Sequence, residues 1–272
     1  MSLRIQNNIE AFNAHRQLQG TSSQTSKAME RLSSGYRINR AADDAAGLAI
    51  SEKLRSQIGG LGQAQRNAND AISLVQTAEG SLAEVHSMLQ RVRDLAVQYN
   101  NGTLATADKT AITDEVAQLC AEINRIGSDT KFNGIALLTG GNSISFQVGA
   151  EDNQTLAVSA AQLFGSGSTY EVSSAIFSFS GTVNLSNIDA AIANVSSTRS
   201  TFGSVQNRLE HTLNNLASYE ENLSASESRI RDVDMAAEMV NFTKLQILQQ
   251  AGTSMLAQAN SAPQSVLSLL RG

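Results

Sequence analysis

The sequence predicts a mainly α fold: a long antiparallel coiled-coil helical rod, a small β-hairpin region at its tip, and terminal helices forming a second coiled-coil domain. Three observations predict it. Two series of apolar residues recur at every seventh position over long stretches, the pattern of helices that wrap on partners along their length. A single Pro in 272 residues leaves little to interrupt an i→i−4 ladder. Aromatic residues make up 4% of the chain and Trp is absent, so the side chains that best fill one large compact core are scarce.

The first series is Leu54, Leu61, Ala68, Val75, Leu82, Leu89 and Ala96. Ile58 and Ile72 fill intermediate positions, and Ala78, Val85 and Val92 form a neighbouring stripe. The second is Ile188, Val195, Phe202, Leu209, Leu216, Leu223, Ile230 and Ala237, with Ile192 and Leu213 four residues after two of its members. A helix over about 43–99 is roughly 85 Å long at 1.5 Å per residue, too long for a compact domain of this size. The chain is therefore expected to go out along one helix and return along another. Between them, KTAITDEVAQLCAEINRIG (109–127) puts Ile112, Val116, Leu119, Ile123 and Ile126 on one stripe and predicts a shorter helix. FNG (132–134) and TGGN (139–142) mark turns. SISFQVGA and TLAVSA alternate in character and predict a hairpin across AEDN, with another strand at AIFSFSG.

The ends have helical spacing but thin apolar faces. Ile5, Ile9 and Phe12 carry one, and Val240, Thr243 and Ile247 the other. Such helices are marginal alone, because nucleation is costly and little surface is buried. They need each other or further copies of the chain. The expected division is 1–35 with 236–272 as a terminal domain, 36–42 and 231–235 as connectors, and 43–235 as the rod. Its helices are placed at about 43–99, 109–127 and 187–230, and its β-rich tip at about 140–186.

LSSGYRINRAADDAAGLAIS (32–51) has two readings: a small acidic site, or a joint between helices. Asp43 and Asp44 lack the alternating spacing of a calcium loop. Adjacent acids at a helix start instead satisfy free N–H groups and the helix dipole. Ser33-Ser34-Gly35 then ends the first helix with Gly in the left-handed cap, and Arg37 and Arg40 lie on an extended connector. The triple glycine of QIGGLGQAQ (57–65) marks either close packing or a soft spot in the rod, each Gly costing about 1 kcal/mol relative to Ala.

Chemistry is excluded more firmly. His15, His86 and His211 are isolated, and no metal, phosphate-binding, nucleophile-elbow or CxxC motif is present. No enzyme activity and no cofactor are expected. A net charge of −5 with mixed signs gives no nucleic-acid footprint, and no apolar run reaches the roughly 20 residues of a membrane span. The N-terminus lacks the apolar core of a secretory signal, so a cytoplasmic protein or one exported without such a cleaved signal is expected. The lone Cys120 excludes an intrachain disulfide and is expected to pack as a small apolar residue.

The chain resembles bacterial flagellin. LSSGYRINRAADDAAGLAIS and SRIRDVDMAAEMVNFTKLQILQQAGTSMLAQANSAPQSVLSLLRG carry the resemblance, with RNANDAISLVQTAEGSL, LQRVRDLAVQ and TKFNGIALL along the rod. It covers roughly 1–140 and 195–272 and implies a short form without large outer domains. It also implies a subunit of the hollow helical filament used for swimming, exported unfolded through the flagellar type III apparatus to lie outside the cell. Ile5, Ile9, Phe12, Val240, Ile247, Leu248 and Leu256 would associate in the filament core. Arg37, Arg40, Asp43 and Asp44 would make connector contacts. The implied partners are further copies of the chain, an export chaperone, and cap and hook-junction proteins. A vertebrate flagellin-sensing Toll-like receptor is a further implied partner, recognising Arg91, Leu95 and Glu115. The family's LQRVRELAVQ appears here as LQRVRDLAVQ, so Asp94 is the departure. The hook–filament junction protein of the same family is the alternative.

Overall fold

The computed structural model describes residues 8–139, 143–159 and 183–271, with the backbone alone at 159 and over 262–271. TGGN beyond Thr139, the expected strand at AIFSFSG and Ile5 lie outside the described residues. The elements are α1 (Ile9–Ser34), α2 (Ala45–Tyr99), α3 (Thr106–Asp129), β1 (Lys131–Phe132), β2 (Ile135–Ala136), β3 (Ser143–Gln147), β4 (Thr155–Ser159), α4 (Leu185–Arg231) and α5 (Met235–Arg271). The fold is thus mainly α. The chain groups into two compact units, Met1–Ser56 with Asn222–Gly272, and Gln57–Glu221. Their limits fall inside α2 and α4, whereas the expected domain limits fall at the connectors.

In the unit Gln57–Glu221, α2 and α4 pair antiparallel. Gln65 donates to Glu220 at 2.6 Å, Arg199 meets Glu79 at 3.6 Å, and Arg93 meets Asp189 at 2.6 Å, so partners on α4 fall in number as those on α2 rise. The buried seam of α2, flanked by the buried Leu74 and Leu95, is Leu61, Ala64, Ala68, Ala71, Val75, Ala78, Leu82, Val85, Leu89, Val92 and Ala96. These positions alternate in steps of three and four, a heptad seam. Ala64 and Ala71 extend the stripe that the sequence discloses only from Ala78 onward. From α4 come Ile188, Val195, Phe202, Val205, Leu209 and Leu216.

α3 adds Ile112, Val116, Cys120 and Ile123 to this core, and Leu137, Leu138, Leu156 and Val158 close it from the β region. Cys120 is buried where Leu119 was the expected member of the stripe. Leu119 packs at the margin. Burial pushes the Cys120 thiol up to about 11. Asn133 (φ 48°) and Gly134 (φ 80°) form the two-residue turn between β1 and β2, a geometry that Asn-Gly adopts readily. β3 and β4 pair antiparallel from Ser143 opposite Ser159 to Gln147 opposite Thr155. The hairpin is tied to α2 by Asn67, which donates to the Gln147 carbonyl at 3.0 Å.

In the other unit, α1 and α5 run antiparallel. Asn8 donates to the Ala259 carbonyl at 2.7 Å, and Leu18 lies beside Gly252. Thr21 and Ala28 of α1 and Leu245 of α5 are buried. α4 ends at Arg231 and α5 begins at Met235. The seven-residue series therefore stops at Ile230: Ala237 belongs to α5 and is exposed. The break has a local cause, because Asp234 accepts from the N–H groups of Ala236 and Ala237 at 2.9 and 3.1 Å and caps a new helix.

Candidate self-association faces and connector

α1 and α5 leave much of their apolar surface uncovered. Phe12 is 70% and Val240 71% exposed, and Ile9, Ile247 and Leu248 are about half exposed or more. Leu256 is half-buried. On α5, Met239, Val240, Thr243, Lys244 and Ile247 line a shallow groove. Their spacing in steps of one, three and four places them on one side of the helix. Leu248 and Met255, seven apart, extend the exposed apolar surface toward the C-terminus. A contiguous exposed apolar face of this kind makes the groove a candidate interaction surface.

The connector is built within the same unit. Gly35, at φ 76°, ends α1 and donates its N–H to the Arg31 carbonyl. Two backbone bonds then join the chain segments: Arg37 N–H to the Arg231 carbonyl at 2.7 Å, and Val233 N–H to the Gly35 carbonyl at 3.0 Å. The Arg37 guanidinium donates to the Ile230 carbonyl at 2.6 Å, so its partner here is a backbone carbonyl and not an acid. Arg40 pairs with Glu30 of the same chain at 2.9 Å.

The acidic pair divides its work. Asp44 caps α2 by accepting from the Gly47 N–H at 2.8 Å. Asp43 lies before the helix rather than in it, and accepts from the N–H groups of Arg40 and Asn39 at 3.1 and 3.3 Å. The Arg40 N–H acts most strongly and holds the Asp43 carboxyl below its ordinary value; burial opposes it, and the Asn39 N–H and the charges of Lys27 and Arg31 add smaller lowering effects. Among the described residues no cluster of metal-ligating side chains occurs, and no helix is long and apolar enough to cross a membrane.

Several connector residues escape the sequence reading. Ile38, in the middle of YRINR, is fully buried. Gly47 makes room for it: a Cβ at Gly47 would lie 2.8 Å from the Ile38 methyl and collide with Asp44. Arg231 lies over the Tyr36 ring at 4.8 Å and pairs with Glu52 at 2.7 Å. An isolated apolar residue between two arginines, followed by a glycine three residues after the cap, was the available signal.

Arg91 and Glu115 are brought together, with Arg91 Nε and Nη2 both donating to one Glu115 oxygen at 2.9 and 2.7 Å. Both are exposed. Leu95 is 2% exposed and belongs to the core. The expected contact set is therefore not one exposed surface: Arg91 and Glu115 are open to solvent, and Leu95 is not.

Two family profiles match these halves of the chain: the bacterial flagellin N-terminal helical region over residues 5–143, and the bacterial flagellin C-terminal helical region over 185–270. The flagellin of Halalkalibacterium halodurans is 51% identical, over 98% of this chain and 99% of the relative. That of Bacillus subtilis is 46% identical, over 99% and 100%. A crystal structure of Bacillus cereus flagellin is 31% identical over 60% of this chain and 94% of its own, with a TM-score of 0.48. The two profiles and the two relatives define a structural protein rather than an enzyme. The chain belongs to the bacterial flagellin family and is a structural subunit of the flagellar filament.

Proposed function

We propose that the chain polymerises through the apolar faces of α1 and α5, which line the core of a hollow filament while α2, α3 and α4 form the surrounding tube. On this reading 1–35 with 236–272 is the core domain, 36–42 and 231–235 are connectors, and 43–235 is the outer domain. The observation that carries it is the stripe of exposed apolar side chains on α5, centred on Val240 and Ile247, in a chain whose α2, α3 and α4 bury most of theirs. Contacts of one face with a different face of the next copy, repeated without closure, yield an open helical polymer. Deleting 236–272 is expected to abolish addition to filament seeds, scored by electron microscopy, while circular dichroism retains the helices of Gln57–Glu221. Filaments from the shortened chain would overturn the reading. Addition without limit by the full chain separates it from the junction-protein alternative, which stops after one layer.

Export through the type III apparatus and release outside the cell follow as part of the same reading. The support is that α1 and α5 bury little on their own, so a chain kept unfolded gains most of its order from contact with other copies. An export chaperone and cap and hook-junction proteins are the partners this route requires. Recognition by the flagellin-sensing Toll-like receptor is supported by the exposed Arg91–Glu115 pair. An Arg91→Ala monomer with unchanged melting is expected to lose most receptor signalling in a reporter-cell assay. Undiminished signalling would remove the proposal.

A further inference from the structure

The terminal unit carries a chemical feature that self-association alone does not explain. Of the six methionines in the chain, Met29, Met235, Met239 and Met255 lie on α1 and α5 and are 48–64% exposed. Met88, on α2, is packed against the core of the other unit. Met239 lines the same groove as Val240 and Ile247, Met235 lies one turn before it, and Met255 continues from Leu248. Thioethers therefore occupy the uncovered association surface, where Leu would supply similar apolar area. Met differs from Leu in one relevant respect: its sulfur is oxidised reversibly to a polar sulfoxide.

We propose that Met29, Met235, Met239 and Met255 are oxidant-modification sites that switch the unassembled chain out of polymerisation. The claim rests on the reading that α1 and α5 are the association faces. The reactant class is a peroxide. The sulfur lone pair attacks one oxygen of hydrogen peroxide, the O–O bond breaks, an S–O bond forms and water leaves. Sulfur is oxidised by two electrons and the peroxide is reduced by two. Each sulfoxide places a strong hydrogen-bond acceptor on a face that must become dry on assembly, where an unsatisfied polar group is costly. The modification selects by state: the free chain presents these sulfurs to solvent, and a filament that buries the faces shields them. Methionine sulfoxide reductases reverse it.

The test treats full-length monomer and assembled filaments with the same dose of hydrogen peroxide. It then maps oxidation by mass spectrometry and measures seeded elongation by sedimentation. In the monomer, Met29, Met235, Met239 and Met255 are expected to oxidise well before Met88, and elongation to fall at least tenfold. In filaments the four are expected to stay reduced. Treatment with both methionine sulfoxide reductases and dithiothreitol should restore elongation. The Met29→Leu, Met235→Leu, Met239→Leu, Met255→Leu variant should elongate normally after peroxide. If that variant elongates poorly even before peroxide, the reductase rescue decides the matter.

Elongation at full rate by monomer carrying all four sulfoxides overturns the switch, as does equal oxidation of monomer and filament. Loss of elongation that the reductases fail to reverse also overturns it. An untreated Val240→Asp chain separates the two levels of inference. If it elongates normally, the association faces are misassigned. If it fails while the fully oxidised wild-type chain elongates, only the switch is wrong.

Discussion

α2 and α5 are both long helices with regularly spaced apolar residues, yet they use them in opposite ways. Between Leu61 and Ala96 every member of the α2 seam is buried by its own chain. On α5, Leu245 is buried while Val240, Ile247, Leu248 and Met255 face outward. The difference is one of covering partner, since neither propensity nor spacing separates them. α2 receives apolar residues from α3, α4 and the β region, whereas α5 receives α1, itself a helix with Phe12 and Met29 exposed. A subunit that must be both stable and ready to polymerise separates the two demands in this way. On the proposed reading, one unit holds the fold together, and the other keeps its apolar surface for the next copy.

Paired substitutions test that separation most strongly. Leu89→Ala removes a fully buried side chain from the α2 seam, and is expected to cost about 2–5 kcal/mol of unfolding free energy. Val240→Asp changes a side chain that is mostly in solvent, and is expected to move monomer stability by less than about 0.5 kcal/mol. Their order reverses in seeded elongation, where Val240→Asp should be the more damaging at temperatures at which both chains are folded. Urea unfolding and sedimentation measure the two axes. If Val240→Asp destabilises the monomer as much as Leu89→Ala, the division of labour is wrong.

Much of this was legible in the sequence because periodicity reports burial directly. Leu61, Leu82, Leu89, Ile188 and Leu209 appear in the expected series and in the core alike. What periodicity cannot report is which covering partner is present. Leu95 lies in a receptor-like motif beside Arg91, but one turn further along the helix it faces inward. Ala64 and Ala71 are buried members of the seam that the heptad series does not include, and alanine alone carries too little apolar signal to extend a stripe. At the joint, Asp44 as a cap and Gly35 as a left-handed terminus were readable from residue type. The clasp of Arg231 on Tyr36 and Glu52 was not, because it joins residues nearly 200 positions apart and no local rule pairs them.

The triple glycine permits a smaller, sharper test inside the stable unit. A Cβ on Gly59 meets nothing within 4 Å, whereas one on Gly60 would lie 2.9 Å from the Ala150 Cβ and 3.2 Å from its Cα. Gly60 is therefore a close-packing position, where α2 touches the loop between β3 and β4, and Gly59 is not. Gly59→Ala is expected to stabilise by roughly 0.5–1 kcal/mol, the helix-propensity gain of replacing an exposed glycine. Gly60→Ala has the same gain to set against a backbone collision, and is expected to give a net loss of about 1 kcal/mol. Urea midpoints of the two variants decide it. Equal stabilisation by both would mean that the loop yields freely and that the motif is a soft spot rather than a contact.

The smallest effects come from titration, and they should fall on opposite sides of neutrality in the two units. Asp43 has a folded pKa lowered from 3.8, chiefly by the Arg40 N–H. A depressed carboxyl pKa gives a contribution that is complete above the unfolded value and is lost as pH falls through the lower, folded one. Cys120 is the reverse case, with burial raising its pKa from 9.0 to about 11. Its contribution is complete below the unfolded value and fades as pH rises from 9.0 toward about 11. Acid should therefore loosen the connector first, seen as shifts of the Asn39 and Arg40 amide resonances that vanish in Asp43→Asn. Alkali should instead act on the core, where Cys120 is expected to resist iodoacetamide near pH 9 until urea unfolds the chain. Rapid alkylation of the folded chain at that pH would mean that the α3 face opens locally, and would weaken the contrast between a closed unit and an open one.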